Sequence, residues 1–404
     1  MTDFTVTAPD ATPIFGTPGS DRLIFNLASG PGGVILTGLS ANVAGGYDGT
    51  FDVAGSADTS FVGIENFSFH DLVGGKDVIT TGDGDDELQG GGGGDILRGG
   101  DGSNSLIGNA GWDRLYGGAD FDQLDGGNGN DRLFGYGGGD SLIGGAGNDR
   151  IFGGAGDDFV DAGAGDDVVK SGSGDDFIIS GAGDDTILMG LGKDFLEISL
   201  DGAKTIDGGK GHDAVFAFLG SGAPAGSVFK YSMISGEHGL KGATANQSTI
   251  TNVEEYAMVG DIDARLIGDG KDNTLSTDLG DDVLTGNGGR DNLSGGGGND
   301  RLIGNKGADT LIGGAGDDIL RGGAGKDSFV FGAGLDVIRD FRDDWDKIGI
   351  DSDLLAPGET LQDVVDNRTS VVAGDTLVTF DAGNVLTIEG LSDPSLLSND
   401  LVLI

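Results

Sequence analysis

The sequence predicts an all-β fold with two blocks of parallel β-solenoid, in which the chain coils into stacked, very short strands. The first observation is a nonapeptide, Gly-Gly-x-Gly-x-Asp-x-U-x with U a large aliphatic residue, that recurs thirteen times in frame from Thr81 to Glu197. The second is a further run of eight copies from Gly268 to Arg339. The third is composition: 84 of 404 residues are Gly, yet large aliphatic residues recur at fixed positions, as a solenoid core requires and a disordered Gly-rich chain lacks.

The nonapeptide itself explains the coil. Its Gly-rich half has to turn, and Gly accepts the positive φ angles that a Cβ atom disfavours. The x-U-x half is long enough only for a short strand, with U facing inward and its two neighbours facing outward. Two nonapeptides therefore make one coil of 18 residues, and coils stack at about 4.8 Å. Residues 18 apart should lie directly above one another, as Asp95 above Asp113.

The chain divides by this pattern into a module that occurs twice. An isolated nonapeptide, Gly16–Ile24, precedes a non-repetitive β-rich insert, and Gly208–Phe216 precedes a second one. Each insert ends in a similar acidic-aromatic segment, with 44 residues from Asp21 to Glu65 and 41 from Asp213 to Glu254. We interpret this as duplication of a starter repeat, an insert and a long solenoid. The expected segments are 1–71 (starter and insert), 72–197 (first solenoid), 198–267 (second starter and insert), 268–339 (second solenoid) and 340–404 (C-terminal cap).

The C-terminal segment changes character. Asp340–Ile348 contains aromatic residues that could cover the open end of a solenoid, where strand edges would otherwise be exposed. Thr376–Phe380 and Asn384–Ile388 alternate in polarity on either side of Asp381–Gly383, which predicts a β-hairpin. We therefore expect a β-rich cap over residues 340–404.

Position six of the nonapeptide predicts cation sites. Stacked carboxylates about 5 Å apart repel one another unless a cation lies between them. Ca²⁺ takes six to eight oxygen ligands, which two Asp side chains and turn carbonyls can supply. The alternative is that these Asp residues only favour turns. The predicted ligands are Asp77, Asp86, Asp95, Asn104, Asp113, Asp122, Asp131, Asp140, Asp149, Asp158, Asp167, Asp176, Asp185 and Asp194 in the first solenoid, and Asn273, Asp282, Asp291, Asp300, Asp309, Asp318, Asp327 and Asp336 in the second.

The net charge supports the same prediction. A column of turns alternating between two flanks sandwiches two fewer ions than it has turns, which allows up to about 18 Ca²⁺ ions in the two solenoids together. Such a load would bring the formal net charge from −44 to about −8. Because the ligand cage is also the fold, we expect the chain to be largely unfolded without calcium.

The repeat resembles that of the RTX (repeats-in-toxin) family of calcium-binding proteins. The resemblance implies a parallel β-roll, with the position-six Asp side chains and turn carbonyls as Ca²⁺ ligands. It also implies export by type I secretion machinery that reads an uncleaved C-terminal signal. Segments that resemble the closing part of RTX domains are Gly325–Phe331, Asp336–Phe341 and Asp346–Ile348.

Three copies depart from the family pattern and put individual sites in question. Asp120 replaces Gly at position four, Tyr136 replaces Gly at position two, and Ala264 removes the position-six Asp from the copy before Gly268.

The outward positions seven and nine predict an unusual surface. On one sheet of the first solenoid they should stack three Arg-x-aromatic pairs, and on the other sheet three Phe residues, Phe159, Phe177 and Phe195. One interpretation is cross-strand packing supported by cation–π contacts. The other is a docking surface for an anionic glycan or for a second copy of the chain. The three pairs are Arg114 with Tyr116, Arg132 with Phe134, and Arg150 with Phe152.

Several classes of protein are disfavoured. The chain has no Cys, no apolar run long enough for a transmembrane helix, and an acidic charge that repels nucleic acid. Met1–Asp10 lacks the basic and apolar regions of a Sec signal. None of His70, His212 and His238 lies in an H-E-x-x-H motif, there is no G-x-S-x-G, and the non-repetitive segments are short for a catalytic domain. We therefore expect a protein that is not an enzyme.

These expectations combine into one function and two alternatives. We expect a secreted, extracellular or cell-surface protein that folds on Ca²⁺ and serves as a self-assembling surface-layer or adhesive building block. A soluble secreted calcium-binding effector would have a similar sequence. A polyuronate-acting epimerase or lyase built on the β-roll is the second alternative.

Overall fold

Each nonapeptide folds as a turn followed by a short strand, and the coils stack in parallel. The computed structural model describes side chains for Lys76 and for residues 78–81, 84–199, 202–218, 252–260, 263–381 and 383–404, and further strands within 3–71 and 228–251 by their backbone pairing alone. The described chain forms two compact units, residues 1–211 and 212–404. The all-β solenoid that the sequence predicts is confirmed.

The first unit contains β-strands joined by turns, and no helix occurs among its described residues. Its strands are Asp3–Val6, Ile14–Phe15, Arg22–Leu27, Val34–Ala41, Tyr47–Val53, Phe67–Asp71, Val78–Thr80, Glu87–Gln89, Gly92–Gly93, Ile96–Arg98, Ser105–Ile107, Ala110–Gly111, Arg114–Gly118, Gln123–Asn128, Arg132–Gly137, Ser141–Ala146, Arg150–Ala155, Phe159–Asp161, Val168–Ser173, Phe177–Ile179, Asp185–Gly192, Phe195–Ser199, Lys204–Asp207 and Lys210–Gly211.

The described residues of the second unit include three short helices besides the strands. The strands are Ala214–Phe218, Val228–Ser232, Glu237–Lys241, Ser248–Thr251, Glu255–Val259, Ala264–Ile267, Thr274–Ser276, Val283–Gly288, Asn292–Gly297, Arg301–Lys306, Thr310–Ala315, Ile319–Ala324, Ser328–Phe331, Leu335–Ile338, Lys347–Ile350, Thr369–Val372, Asp375–Thr379, Val385–Ile388 and Leu401–Leu403. The helices are the 3₁₀ helices Ser352–Leu354 and Pro394–Asn399 and the α-helix α1, Leu361–Arg368.

The strand register follows the 18-residue coil. Leu115 pairs with Leu133, and Leu133 pairs with Ile151, in parallel strands of one sheet. Leu124 pairs with Leu142 in the opposite sheet. These inward aliphatic residues are fully buried. The core of each solenoid is therefore a ladder of one large aliphatic side chain per nonapeptide, as the x-U-x pattern predicts.

The close stacking of turns explains the Gly at position four. Gly147 has a φ angle of +127°, and a Cβ atom there would lie 1.8 Å from the carbonyl oxygen of Gly129 in the coil before it. Side chains are therefore excluded by backbone contact as well as by the dihedral angle. Tyr136, at position two, adopts a φ angle of +75°, where the equivalent positions of other coils hold Asn109 or Asn305 at nearly the same angle.

The starter strands join the stack across their inserts. In the first unit Leu23 pairs in parallel with Phe67, and in the second Ala214 pairs in parallel with Glu255. Each insert thus interrupts the sequence between strands that are neighbours in a sheet. The duplication of the module remains an interpretation of the sequence.

The C-terminal segment continues the second solenoid with further strands and adds a hairpin and a helix. Lys347–Ile350 pairs with Ser328–Phe331 as one further coil strand. Asp375–Thr379 and Val385–Ile388 form the predicted antiparallel hairpin. Helix α1, which was not predicted, begins with a capping box between Thr360 and Asp363 and buries Val364 and Val365. The side chain of Trp345 is 56% exposed, and the aromatic cap remains a prediction.

Candidate metal centre

The position-six side chains form columns along the flanks of each solenoid. Those that the structure describes are buried, with exposures of 3% or less, from Asp86 to Asp194 and from Asn273 to Asp336. Asp77 lies outside the described residues. In the first unit one column contains Asp86, Asn104, Asp122, Asp140, Asp158, Asp176 and Asp194, and the other contains Asp95, Asp113, Asp131, Asp149, Asp167 and Asp185. In the second unit one contains Asn273, Asp291, Asp309 and Asp327, and the other contains Asp282, Asp300, Asp318 and Asp336.

One oxygen of each inner carboxylate accepts a hydrogen bond that links two neighbouring coils. Oδ1 of Asp131 accepts a hydrogen bond from the backbone N–H of Asp113 at 2.7 Å, and Oδ1 of Asp149 accepts one from Asp131 at 2.7 Å. The same bond links Asp300 to Asp318 at 2.8 Å in the second unit. This bond fixes the rotamer of each position-six side chain, so the position of its second oxygen is fixed too.

The second oxygen makes no hydrogen bond although it is buried. A Cβ atom at Gly126, position one of the same nonapeptide, would lie 2.7 Å from Oδ2 of Asp131, so Gly leaves room beside this oxygen. Buried polar atoms are nearly always paired, and such a repeated exception requires an explanation. The buried Oδ2 atoms without a hydrogen bond include those of Asp113, Asp122, Asp131, Asp140, Asp149, Asp158, Asp167, Asp176, Asp282, Asp291, Asp300, Asp309, Asp318 and Asp336.

Burial makes these carboxylates costly as free anions. Loss of hydration, together with the negative charges of Asp113 and Asp149 in the same column, raises the pKa of Asp131 to about 7. Burial likewise raises the pKa of Asp167 to about 8 and that of Asp318 to about 7. Near neutral pH each column must therefore hold protons or bind cations.

The donor set suits a hard cation of the calcium type. No cluster of three or more His, Cys, Asp or Glu side chains converges among the described residues. Each flank instead offers one carboxylate per coil together with the carbonyl oxygens of the Gly-rich turn. All of these donors are oxygen atoms. Ca²⁺ prefers oxygen ligands, whereas Zn²⁺ favours nitrogen and sulfur ligands. The residues present thus fit Ca²⁺, with the carboxylate column and turn carbonyls as its ligands.

Two of the three departures from the repeat pattern leave the columns intact, and the third removes one carboxylate. Asp122 follows the substituted Asp120 and still accepts a hydrogen bond from the N–H of Asn104 at 2.8 Å. Asp140 follows Tyr136 and is 1% exposed. At Ala264 the carboxylate is missing, but its N–H still donates to Oδ1 of Asp282 at 2.6 Å.

Position five carries a second, exposed ladder that the sequence analysis did not identify. The side-chain oxygen of Asn130 accepts from the N–H of Asn148 at 2.9 Å, and that of Asp157 accepts from Asp175 at 2.8 Å. These bonds run in the opposite direction to those of position six. Part of the acidic charge therefore lies on exposed side chains that join neighbouring coils by hydrogen bonds, and not in the buried columns.

Other members of the columns were missed because they break the nine-residue frame. Asp346 lies 19 residues after Asp327, is 1% exposed, and accepts a hydrogen bond from the N–H of Asp327 at 3.0 Å. Glu254 takes the same place before Asn273, since its Oε2 accepts from the N–H of Asp213 at 3.2 Å. The sequence still held one signal for Asp346 as a column member, because it lies two residues before an inward aliphatic residue, Ile348.

The outer face of the first solenoid stacks as the spacing predicts. Arg114, Arg132 and Arg150 pair in register on one sheet, as do Tyr116, Phe134 and Phe152. The rings lie parallel, with centroids 4.9 Å and 4.8 Å apart. On the other sheet the rings of Phe159, Phe177 and Phe195 are 5.8 Å and 5.1 Å apart.

Cations close both ends of the ring stack. The guanidinium of Arg98 lies 4.9 Å from the ring centre of Tyr116, and the ammonium of Lys170 lies 5.8 Å from that of Phe152. The ring faces of Phe134 are therefore covered, and only ring edges meet solvent. The three Arg side chains beside the rings are exposed and take part in no ion pair among the described residues.

Comparison with known proteins identifies the repeat. The family model of the RTX calcium-binding nonapeptide repeat matches residues 73–106, 107–142, 134–169, 161–196, 267–302 and 303–338. No curated protein matches the chain. Among solved structures, the extracellular lipase LipA from Serratia marcescens is similar at 16% identity with a TM-score of 0.18. That match covers 75% of this chain and 45% of the lipase chain, so this chain spans less than half of the lipase's length.

None of the helices among the described residues is both long and apolar enough to cross a membrane. The in-frame nonapeptides, the stacked parallel coils and the family match all describe one architecture. The chain belongs to the family of proteins with RTX calcium-binding nonapeptide repeats.

Proposed function

We propose that this protein is an extracellular building block that folds when Ca²⁺ fills its buried carboxylate columns. The observation that supports this most directly is the free, buried Oδ2 atom that recurs along each column, as at Asp131 and Asp300. Each ion is bound by position-six residues predicted as ligands and by carbonyl oxygens of the turns. Bound Ca²⁺ supplies the positive charge that offsets the column and the greater part of the net charge of −44.

Secretion and folding are coupled in this proposal. Sites of extracellular type bind Ca²⁺ with dissociation constants of about 10⁻⁴ to 10⁻³ M, far above cytosolic calcium. The chain stays unfolded inside the cell, passes through type I secretion machinery by its C-terminal signal, and folds outside. Circular dichroism tests this step. Parallel-β signal should appear with millimolar Ca²⁺ and disappear with chelator, and equal signal in both conditions would contradict the proposal.

The exposed Arg column is the proposed contact surface. Three Arg residues lie in register on neighbouring strands that are about 4.8 Å apart, and their like charges repel one another unless an anionic partner lies against them. A second copy of the chain offers such a partner, because its position-five Asp ladder is exposed and acidic. The aromatic rings serve mainly to brace the sheet, since their faces already contact one another. We therefore propose self-assembly into a surface layer or adhesive array through this face.

Electron microscopy of the purified protein tests the assembly. Sheets or filaments should form in millimolar Ca²⁺ and should be absent with chelator. Replacement of Arg114, Arg132 and Arg150 by Gln should abolish assembly and leave the circular dichroism with Ca²⁺ unchanged. The matched control replaces three exposed Arg of the second unit, Arg265, Arg301 and Arg321, by Gln and should still assemble.

Other outcomes would select another role. Monodisperse wild-type particles that bind an anionic polysaccharide through the same three Arg would replace self-assembly with glycan binding. We propose no catalytic role for the chain. Incubation with alginate-like polyuronates tests that part, since cleavage or epimerisation of the polymer would establish an enzyme.

A further inference from the structure

One carboxylate column of the first unit ends in a buried Lys. Asp185 pairs in register with Lys204, which therefore takes the place of the next position-six residue. The Lys204 side chain is fully buried. Its Nζ atom lies 2.9 Å from the carbonyl oxygen of Gly181, 2.9 Å from that of Gly183 and 2.5 Å from Oδ2 of Asp185. An ammonium group thus lies among the turn carbonyls and the carboxylate of one coil.

In the calcium ligation proposed above, the other coils would present the equivalent oxygen set to the ion. Gly181, Gly183 and Asp185 are positions two, four and six of their nonapeptide. In the preceding coils of the same column Oδ2 of Asp149 and Asp167 makes no hydrogen bond, whereas Oδ2 of Asp185 accepts from Lys204 and from the Ser180 hydroxyl. A fully buried ammonium is costly unless it is paired and hydrogen-bonded. The coil offers Lys204 a carboxylate and two carbonyls, as it would offer an ion.

The second unit contains a related arrangement, in which an Arg side chain that is 40% exposed lies between two carboxylates of one column. One guanidinium nitrogen of Arg342 donates to the carbonyl oxygen of Gly325, at position four, and lies 3.5 Å from Oδ2 of Asp327. It also lies 3.5 Å from Oδ1 of Asp346, the next member of that column. The cation again lies at the end of the regular repeats. It reaches this place from a loop residue, and not from position six.

We propose that Lys204 and Arg342 are built-in cations that occupy the last calcium position of one column in each unit. This inference rests on the proposed calcium ligation by the columns. It identifies the position in each unit at which a side chain replaces the ion. Each side chain supplies a fixed positive charge, so the last coil is closed whatever the calcium concentration. Without Lys204 the carboxylate of Asp185 would need an ion held by one coil alone, because the next coil offers no carboxylate in this column.

The wild-type protein gives the first test. A crystal structure grown in saturating Ca²⁺, with anomalous scattering measured at long wavelength, should show ions between the inner coils and none within the oxygen set of Gly181, Gly183 and Asp185. An ion there, with Lys204 displaced, would overturn this inference and leave the proposed function standing. Absence of calcium from every column would overturn both.

Substitution gives the second test, read by native mass spectrometry at saturating Ca²⁺. Lys204→Asp restores a position-six carboxylate and should bind about one additional ion. The matched control is Lys193→Asp, which makes the same charge change at the exposed position five of a neighbouring coil. The control should bind the wild-type number of ions. An unchanged ion count in Lys204→Asp, with wild-type circular dichroism, would contradict the inference.

Discussion

At the scale of the residue, the position-six Asp does two jobs with its two oxygens. Oδ1 accepts the N–H of the coil before it, as between Asp113 and Asp131, and Oδ2 remains buried without a hydrogen bond. The ligand positions could be predicted because the period of nine never slips within a block. Lys204 and Asp346 could not, because each lies 19 residues after its column neighbour and so leaves the 18-residue frame.

Replacement of Asp131 by Ala tests the residue scale. This carboxylate lies between Asp113 and Asp149, so its loss should weaken two calcium sites and remove one coil-to-coil hydrogen bond. We expect a higher calcium midpoint, lower folding cooperativity and a loss of about 3 kcal/mol of stability in saturating Ca²⁺. Asp161→Ala, which removes an outward-facing carboxylate at position nine, is the control. Equal calcium titrations of the two variants by circular dichroism would contradict the assignment.

At the scale of the element, each strand is too short to be stable alone and depends on its neighbours above and below. The stack from Arg98 through Tyr116, Phe134 and Phe152 to Lys170 shows how outward residues brace successive strands. The spacing of 18 predicted this register. The spacing did not predict helix α1. The sequence signals for this helix are only a short capping box and two buried aliphatic residues, within a segment that otherwise alternates in polarity.

Replacement of Phe134 by Ala tests the aromatic stack. Truncation removes the two close face-to-face pairs with Tyr116 and Phe152, each worth about 0.5–1.5 kcal/mol, and a wider contact with Tyr136. We expect a loss of about 1–3 kcal/mol in the calcium-loaded state without a change in ion count. Ile143→Ala, at position nine of the opposite sheet and 37% exposed, is the control and should cost less. Thermal unfolding in saturating Ca²⁺ measures both variants.

At the scale of the whole molecule, the protein carries a net charge of −44 and buries many of its carboxylates in columns. Self-repulsion and burial both oppose folding of the metal-free chain. The solenoid core cannot offset them easily, because each nonapeptide contributes only one large inward side chain. Calcium and protons compete for the same Oδ2 atoms, so the stability of the molecule should depend on pH in opposite senses with and without the metal.

The pH dependence of the metal-free protein follows from the raised pKa values. Burial raises the pKa of Asp131 and Asp158 to about 7 and that of Asp167 to about 8, above the usual value near 3.8. A raised folded-state pKa stabilises the fold when the group is protonated, and this stabilisation is lost as pH rises from about 4 to about 8. In chelator, acidification from about pH 8 to about pH 5 should therefore increase the β-structure seen by circular dichroism.

Calcium should change this trend, because it binds the deprotonated carboxylates. In our proposal the metal-free chain is largely unfolded, so its carboxylates are already ionised near pH 7 and become protonated only below about pH 5. The calcium midpoint should therefore stay nearly constant from about pH 8 to about pH 6 and should rise as pH falls below about 5. Isothermal titration calorimetry in buffers of different ionisation enthalpy would measure the protons released per ion bound. Release close to zero near pH 7 that increases towards about pH 4 would support folding of an ionised chain on calcium. Substantial release near pH 7 would show that the metal-free chain already holds protonated columns, and would contradict folding on calcium.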